Sequence, residues 1–339
     1  MTNFAVDILQ ARDNSFNIGV QLANFFKNNP SILKTFEVIT KPEIDIPNMK
    51  SIYTTFAPQL LEELEGMAQG LNLSFPKAAS LFSGYDVPKT EAMGCSAIIT
   101  KDYYVRNYDF TPDLYDGIFS LVQPEGTFAS AGYNLQGLGR HDGVNQKGLV
   151  IGLHFVSNND YTVGISPWIS IRMVLDNCST TEEAIEMLKV IPHSACYNFS
   201  IGDKNGSLAV VEASPKNVNI RREESLMSCE NHFRTIEMKN QNRVSIDGSM
   251  KREQYLKDFK EKAITHEEMF EQFKETTSPL FFSDYDNLFG TLHTFSYSYA
   301  NARILTTIAQ SSEVLDIDLN EWVNGKNIDQ HFLKGIIKG

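Results

Sequence analysis

The sequence predicts an α+β fold in which helices and mostly antiparallel strands occupy separate blocks of the chain. Three observations favour this class. Apolar residues recur at helical spacing before Gly94, short strand-like runs begin at Cys95, and blocks of both kinds then follow one another to about residue 308. A further observation is an absence: no Gly-rich phosphate loop is followed by a helix, and no regular strand–helix repeat occurs. A layered α+β arrangement is therefore expected rather than a parallel α/β sheet.

Helices dominate the segment before Cys95. A first helix is predicted over 11–29 by apolar residues at helical spacing, namely Ile18, Leu22, Phe25 and Phe26. A second helix begins near Pro58, has an apolar face and is expected to stop at Gly70. A third helix begins around Pro76.

Strands and helices alternate in blocks after Cys95. The patterns predict strands over 95–100, 103–107, 117–123, 127–132 and 148–155. Helices over 167–177 and 181–190 follow, with Thr180 or Thr181 as the N-cap. Strands then return over 197–202, 207–213 and 217–221, and the first two of them are joined by a turn that contains Asn205-Gly206. Two more helices (250–263, 266–274) and two strands (291–298, 302–308) complete the pattern.

Composition and charge exclude several classes of partner. The 339 residues are 42% hydrophobic and 21% charged, which is typical of a globular protein with a sizeable core. The net charge of −12 argues against a nucleic acid and against an anionic membrane surface. The start of the chain lacks the pattern of a secretory signal, and no apolar run approaches the ~20 residues of a membrane helix.

Cysteine and histidine usage indicates reduced thiols and no metal site. The four cysteines are far apart and form no CxxC pair, and the histidines form no HExxH motif; the cysteines are Cys95, Cys178, Cys196 and Cys229. We therefore expect a cytoplasmic protein with neither a disulfide framework nor a bound metal.

The strand start at Gly94-Cys95 is the first candidate for a catalytic site. The strand that returns after the next turn contains Arg106 and Asp109. The pKa of a free α-amine is about 7.7–8.0 and that of a thiol about 8.5, so a cysteine at a new chain start could hold both a nucleophile and its base near neutral pH. The alternative is that Cys95 is a small buried apolar residue, as most free cysteines are.

Three polar clusters accompany this strand pair. They are the run 142–149, which contains Asn145, the run 228–233, which contains Asn231 and His232, and the helix start 249–252. Taken singly, each has a structural explanation: a hairpin turn, a satisfied loop amide and a solvated helix start.

Taken together and in this order, these motifs resemble the isopenicillin-N acyltransferase family, and more distantly the choloylglycine hydrolases and penicillin V acylases. The resemblance extends over nearly the whole chain, and its segments are 58–70, 94–96, 106–110, 142–149, 203–215, 231–232 and 292–309. It implies a four-layer αββα sandwich of antiparallel sheets, the N-terminal-nucleophile hydrolase fold. It also implies a cut between Gly94 and Cys95, after which residues 1–94, a helical pro-segment, and the catalytic chain 95–339 stay together as one domain.

The resemblance also implies a role for each site residue. Cys95 is the nucleophile and its own base, Asp109 holds the α-amine, and Arg106 lies beside the thiol. Three further positions contact the reacting groups: Asn231 as an oxyanion-hole amide, Asn145 as a second such amide and Arg252 as a helix-borne cation. His232 is not expected to be the base, because the amine already supplies one. Arg106 and Asp109 could instead form a structural salt bridge.

The expected activity is that of a self-processing amidohydrolase. It would cleave a linear N-acyl amide through a thioester on Cys95, with a small amide as its partner and no cofactor. Two alternatives stay open: an acyltransferase that passes the acyl group to an amine, and an uncut binding protein without turnover. The sequence leaves open which amide is the substrate and whether the chain forms a homo-oligomer.

Overall fold

The computed structural model describes residues 2–89, 94–287 and 289–337. Over these residues the chain forms ten α-helices and seventeen strands. The helices are α1 (Ser15–Asn28), α2 (Pro30–Ile39), α3 (Ile46–Phe56), α4 (Gln59–Leu71), α5 (Phe75–Phe82), α6 (Pro167–Asn177), α7 (Thr181–Val190), α8 (Asp247–Lys257), α9 (His266–Lys274) and α10 (Leu319–Val323). The strands are β1 (Thr2–Asp13), β2 (Gly94–Thr100), β3 (Tyr103–Phe110), β4 (Ile118–Pro124), β5 (Ser130–Leu135), β6 (Gly139–Arg140), β7 (Asp142–Asn145), β8 (Leu149–Ser157), β9 (Cys196–Asp203), β10 (Leu208–Ala213), β11 (Val218–Arg221), β12 (Leu226–Cys229), β13 (Ser283–Asp284), β14 (Phe289–Ser298), β15 (Arg303–Ile308), β16 (Leu315–Asp318) and β17 (Phe332–Ile337).

The strands form two large sheets. The larger sheet has the order β11-β10-β9-β8-β7-β5-β4-β1-β17, with β6 attached to β5. The smaller sheet has the order β12-β2-β3-β14-β15-β16, with β13 attached to β14. Every pair of these described strands is antiparallel except β1 with β4, which run parallel.

The two sheets pack face to face, and a glycine at the contact lets them approach closely. A Cβ built on Gly152 of β8 would lie 2.3 Å from Tyr104 Oη and 2.7 Å from Arg106 Cδ, both on β3. Any larger residue at position 152 would push these two side chains away. The inner face of β3 therefore lies directly against β8, and this contact brings residues far apart in sequence into one buried layer.

Helices cover the outer faces of both sheets. On β3, Asn107 points away from the inner layer, as strand alternation requires, and its Nδ2 donates to the carbonyl of Phe273 in α9 at 2.8 Å. On the larger sheet, α6 packs against β7 and β8, and α7 packs against β9, β10 and β11. The result is a four-layer αββα sandwich, which confirms the predicted fold class. No helix among the described residues is long and apolar enough to cross a membrane.

The predicted helices α6 and α7 have the predicted bounds, and Thr180 caps α7 by accepting from Glu183 N at 3.3 Å. Several other predicted bounds were wrong, among them the helix over 250–263, which begins at Asp247 and ends at Lys257. The first helix begins at Ser15 rather than at residue 11, because residues 2–13 form β1. The stop at Gly70 was also wrong: α4 continues to Leu71, and Asn72 ends it in the left-handed conformation at φ 57°.

Residues before the expected cut form an integral part of this sandwich. They are mainly helical, as expected, but they also supply β1, which lies inside the larger sheet between β4 and β17. On α4, Glu63 is buried and accepts two hydrogen bonds from Arg172 of α6, at 3.0 and 2.7 Å. A buried, bidentate ion pair thus links this segment to the part of the chain that follows Cys95.

Candidate active site

Cys95 is the second residue of β2 and is fully buried between the two sheets. The antiparallel register pairs Gly94 with Asp109 and Cys95 with Tyr108 on β3. Because the hairpin between β2 and β3 is short, this register places both Arg106 and Asp109 beside the start of β2. The local sequence is therefore sufficient to assemble one wall of the site.

Arg106 is the hydrogen-bond partner of the thiol. Its Nη2 donates to Cys95 Sγ at 3.0 Å and to the carbonyl of Leu153 at 2.5 Å. Burial raises the pKa of the Cys95 thiol to about 11, and the Arg106 guanidinium opposes this rise by favouring the thiolate. Near neutral pH the thiol consequently stays protonated and needs a base before it can act as a nucleophile.

Arg106 is itself held by a buried carboxylate that the sequence analysis did not single out. Its Nη1 donates to Asp142 Oδ2, and the same oxygen is 2.8 Å from His293 Nε2. On the other side of that ring, Nδ1 is 2.7 Å from Tyr115 Oη. Burial alone would raise the pKa of Asp142, but His293 and Arg106 together lower it to about 2. The carboxylate is therefore ionised and fixes the guanidinium beside the sulfur.

Asn231 contacts the backbone of Cys95 rather than its sulfur. Its Oδ1 accepts from Cys95 N and from Arg252 Nη2, both at 2.9 Å. Its Nδ2 donates to the carbonyl of Phe155 at 2.9 Å. Two donors on one oxygen and a carbonyl acceptor on the nitrogen fix the orientation of this amide. Asn231 thus accepts from the nitrogen that cleavage would turn into an α-amine.

Arg252 approaches Cys95 from helix α8. Its Nη1 donates to the Cys95 carbonyl at 2.6 Å and to Ser96 Oγ at 2.8 Å. The guanidinium is buried, with 4% of the residue exposed, and it lies within 4.0 Å of Asp109 Oδ2. Two buried cations, Arg106 and Arg252, therefore flank Cys95 on opposite sides.

Asp109 lies beside the Gly94-Cys95 bond. Its Oδ1 accepts from Thr291 Oγ1 at 2.7 Å, whereas Oδ2 is buried without a hydrogen-bond partner among the described residues. A Cβ built on Gly94 would lie 3.0 Å from this free oxygen, so the carboxylate is close to the residue whose carbonyl would be cut. Burial raises the pKa of Asp109 to about 6, and Arg252 is the largest opposing cause.

Asn145 is not part of this cluster, in contrast to the sequence-based expectation. Its Nδ2 donates to the carbonyls of Leu175 and Cys178 at 2.9 and 2.8 Å, and its Oδ1 accepts from Lys147 N and Leu149 N at 3.0 and 3.2 Å. All four contacts lie at the end of α6 or within the turn before β8. The geometry therefore gives this side chain a capping and turn role on the outer side of the larger sheet.

His232 also faces away from the thiol. Its Nδ1 is 2.7 Å from Ser249 Oγ and its Nε2 is 3.0 Å from Glu253 Oε2. Both ring nitrogens are thus engaged with groups on α8. Neither nitrogen of this ring contacts the thiol among the described residues.

Near His232, three side chains have the spacing of a cation site. One ligand atom each of Glu230, His232 and Glu253 lies within 4.8 Å of the others. The carboxylates are already paired with cations: Glu230 with Arg234 Nη2, and Glu253 with Lys257 Nζ at 2.6 Å. The ion pairs within the protein account for this cluster.

His154 is a site residue that the sequence analysis missed. It lies on β8, is fully buried, and precedes Phe155, whose carbonyl accepts from Asn231. A single histidine within the apolar run 149–156 has no motif around it, and such a residue is usually a satisfied core histidine. Only the packing of β8 against β2 and β3 places it next to Cys95.

The assembled site can support acyl transfer. A thiol, a potential amine, an ionised carboxylate and two guanidiniums converge on one peptide unit at the start of an inner strand. The αββα sandwich has the layer order of the N-terminal-nucleophile hydrolase fold, with Cys95 at the start of an inner strand. The sequence model of the acyl-coenzyme A:6-aminopenicillanic acid acyl-transferase family matches residues 99–313, which is more than half of the chain. The chain belongs to this family.

Several solved structures are similar to the chain at low sequence identity. A mutant of the conjugated bile acid hydrolase from Clostridium perfringens covers 73% of this chain and 97% of its own, with 15% identity and a TM-score of 0.45. Penicillin V acylase from Agrobacterium tumefaciens covers 68% and 78%, with 15% identity and a TM-score of 0.40. An N-acylethanolamine-hydrolyzing acid amidase ortholog from Caenorhabditis elegans covers 60% and 93%, with 14% identity and a TM-score of 0.41. No curated protein sequence matches the chain.

Proposed function

We propose that the protein is a self-processing amidohydrolase whose nucleophile is Cys95. The observation that carries this proposal is that one residue, at the start of a buried strand, has its sulfur bonded to Arg106 and its nitrogen bonded to Asn231. Both atoms that an N-terminal nucleophile uses are thus held by separate side chains. A cysteine that served only as core packing would need neither contact.

Self-cleavage would begin with attack of Cys95 Sγ on the carbonyl carbon of Gly94. The C–S bond forms, the C–N bond breaks, and the departing nitrogen takes up the proton that the thiol loses and so becomes the α-amine. Water then hydrolyses the thioester, which leaves a carboxylate on Gly94 and restores the thiol. Asp109 Oδ2, which lies beside Gly94 without a partner among the described residues, would orient this water or the new amine.

In turnover the new α-amine would be the base for the thiol. Arg252 Nη2 donates to the same Asn231 oxygen as Cys95 N, so a permanent positive charge lies next to the amine. A neighbouring like charge disfavours the ammonium form and lowers the pKa of the amine. The neutral amine removes the thiol proton, the thiolate attacks the substrate carbonyl, and the amine passes the proton to the leaving nitrogen. Water then releases the acid from the thioester.

An acyltransferase is the second candidate, and the family description is the observation that favours it. The same residues would form the same thioester, and an amine would replace water as the acceptor. A third candidate is an uncut binding protein on the same scaffold. The candidates differ in measurable products, because only the enzymes release a leaving amine and only the transferase yields a new amide.

The test combines intact mass with product analysis. Denaturing mass spectrometry of the purified protein is expected to show fragments 1–94 and 95–339, whereas Cys95→Ala stays uncut and inactive and Cys95→Ser is cut more slowly. The cut protein is then given a panel of N-acyl compounds: penicillin V, conjugated bile salts, N-acylethanolamines, N-acyl amino acids and N-acyl homoserine lactones. Each is assayed with and without an added amine acceptor. A wholly intact chain that still hydrolyses amides would contradict the mechanism, and an intact, inactive chain would favour the binding protein.

A further inference from the structure

The strand that pairs with β3 on the side away from β2 has a bulge beside Asp109. In the antiparallel register of β14 with β3, Thr291 pairs with Asp109 and Thr294 pairs with Asn107. Because β14 spends three residues where β3 spends two, the register shifts between Thr291 and His293. A bulge of this kind re-aims a side chain and is frequent next to active sites. Here it lets both threonines face the side of the sheet on which Asn107 and Asp109 lie.

The hydroxyl group of Thr291 is held in one orientation. Its Oγ1 accepts from the backbone N–H of Phe282 at 2.9 Å and donates to Asp109 Oδ1 at 2.7 Å. The sense of the second bond is fixed at neutral pH, because a carboxylate whose pKa is about 6 is ionised there and can only accept. The main chain of Thr291 is held as well: its N–H donates to Phe282 O at 2.9 Å, and its carbonyl accepts from Tyr285 Oη at 2.8 Å.

This contact occupies one carboxylate oxygen of Asp109 and leaves the other beside the reacting bond. Oδ2 is buried, has no hydrogen-bond partner among the described residues, and lies 3.0 Å from a Cβ built on Gly94. Arg252 Nη1 is 4.0 Å from Oδ2, which is too far for a hydrogen bond. The χ2 torsion of an aspartate has a broad energy profile, so its rotamer alone does not fix the plane of the carboxylate. The bond from Thr291 therefore sets that plane.

We infer that Thr291 is a positioning residue of the site, whose hydroxyl group fixes Asp109 so that Oδ2 faces the Gly94-Cys95 bond before cleavage and the α-amine of Cys95 after it. This inference rests on the proposed function, in which that amine is the base. A neutral amine has two N–H groups and one lone pair. One N–H donates to Asn231 Oδ1, as the peptide N–H does in the uncut chain, and the other donates to Asp109 Oδ2. The lone pair is then left to take the thiol proton, and Thr291 keeps its own proton throughout.

The experiment compares Thr291 with Thr294, a matched threonine on the same strand. Thr294 is also buried, and its Oγ1 donates to Asn107 Oδ1 at the same distance of 2.7 Å. Asn107 is neutral, and its amide nitrogen donates to the carbonyl of Phe273 in α9. Thr291→Val and Thr294→Val each remove one buried hydroxyl group, whereas Thr291→Ser keeps the donor. Urea denaturation measures the free energy of unfolding of each variant, and kcat and KM are measured on protein confirmed as cut.

The two valine variants should lose similar amounts of stability but differ in rate. Thr291→Val should lower kcat by about 10-fold or more with KM changed far less, because displacement of a reacting group by about 1 Å costs about 10²-fold. Thr291→Ser should recover most of this loss, and Thr294→Val should keep the wild-type kcat. Where a variant is cut incompletely, the rates of self-cleavage are compared and should follow the same order.

A double substitution tests whether Thr291 acts through Asp109. Thr291→Val is introduced into Asp109→Asn, in which no carboxylate remains to be oriented. The added substitution should lower kcat much less there than in wild type, because two residues that act as a unit give non-additive effects. A general disturbance of β14 would instead lower kcat by the same factor in both backgrounds.

Three outcomes would overturn the inference while leaving the proposed function intact. The first is a kcat of Thr291→Val equal to that of Thr294→Val. The second is a Thr291→Ser variant as slow as Thr291→Val, because a donor role predicts rescue by another hydroxyl group. The third is an equal loss of kcat in the wild-type and Asp109→Asn backgrounds. If the wild type is neither cut nor active on any amide, the proposed function fails first, and the inference fails with it.

Discussion

The side-chain carbonyl of Asn231 accepts a hydrogen bond from the backbone nitrogen of Cys95 at 2.9 Å. The sequence analysis expected this residue to donate its amide to a substrate oxygen. In the structure it is the amide oxygen of Asn231 that faces Cys95, because the amide nitrogen donates to Phe155 O instead. After cleavage the same oxygen would accept from the new α-amine and orient its lone pair toward the thiol.

This contact predicts that Asn231 affects the pH profile as well as the rate. Asn231→Asp keeps an acceptor but puts a negative charge beside the amine, which favours the ammonium form. The ascending limb of kcat/KM against pH should move to higher pH in this variant. Asn231→Ala removes the acceptor that orients the amine and should lower kcat by about 10²-fold, the typical cost of misplacing a reacting group by about 1 Å. An unchanged kcat in a properly cut Asn231→Ala protein would remove the residue from the site.

Substitution of Asn145 should lower the stability of the protein and leave its catalytic rate unchanged. Its four hydrogen bonds tie the end of α6 to the turn before β8. Asn145→Ala leaves buried backbone groups without partners, which should reduce the free energy of unfolding by about 1–3 kcal/mol. The kcat of the folded, cut variant should stay at the wild-type value. Urea denaturation and kinetics on the same preparation measure both quantities, and a selective loss of kcat would restore the catalytic role that the sequence suggested.

Asp142 is expected to contribute to stability in a pH-dependent way. Its pKa is about 2 in the folded protein, below the ordinary value of 3.8. A lowered folded-state pKa stabilises the protein above pH 4, and this contribution is lost as the pH falls from about 4 toward 2. A pKa difference of this size corresponds to about 2 kcal/mol in the free energy of unfolding.

The matching variant is Asp142→Asn, which leaves the buried Arg106 guanidinium without its counter-charge. Removal of one partner of a buried ion pair typically costs about 3–5 kcal/mol. Urea titrations at several pH values should show lower stability at pH 7 and a flatter decline between pH 4 and pH 2 than in wild type. An equally steep decline in the variant would assign the acid sensitivity to other carboxylates.

The buried pair of Glu63 and Arg172 should hold the two cleavage products together. Glu63 lies before the cut and Arg172 after it, and both are almost fully buried. Glu63→Gln removes the charge, while Glu62→Gln changes an exposed neighbour on the same helix and serves as the control. Size-exclusion chromatography in increasing urea should show separation of 1–94 from 95–339 at a lower concentration in Glu63→Gln only. Equal urea midpoints of separation in the two variants would mean that β1 and the apolar contacts are sufficient to hold the two fragments together.

Local features of the fold could be predicted from the sequence, whereas contacts between distant segments could not. The hairpin of β2 and β3 follows from short-range pattern, and it places Arg106 and Asp109 near Cys95. Asn145 was chosen because it lies in a polar turn, yet its neighbours in space are α6 and its own turn. His154 was missed since only the approach of Gly152 to β3 brings it into the site. The orientation of the Asn231 amide likewise depends on hydrogen-bond partners from three separate elements.

The last prediction concerns Asp109 and the acid limb of activity. If the α-amine of Cys95 is the base, activity requires its neutral form, and the reference pKa places the ascending limb at about pH 6–8. Asp109 lies beside Gly94, and burial raises its own pKa to about 6, so its charge is present over most of that range. A nearby carboxylate favours the ammonium and raises the pKa of the amine. In Asp109→Asn this support is lost, so the ascending limb should move to lower pH, even as kcat falls because the amine is oriented less well.

The control is His232→Gln, whose ascending limb should not move, because that ring is engaged with Ser249 and Glu253. The measurement is kcat/KM against pH for the three proteins, each confirmed as cut. A limb that stays in place in Asp109→Asn and moves in His232→Gln would identify His232 as the base.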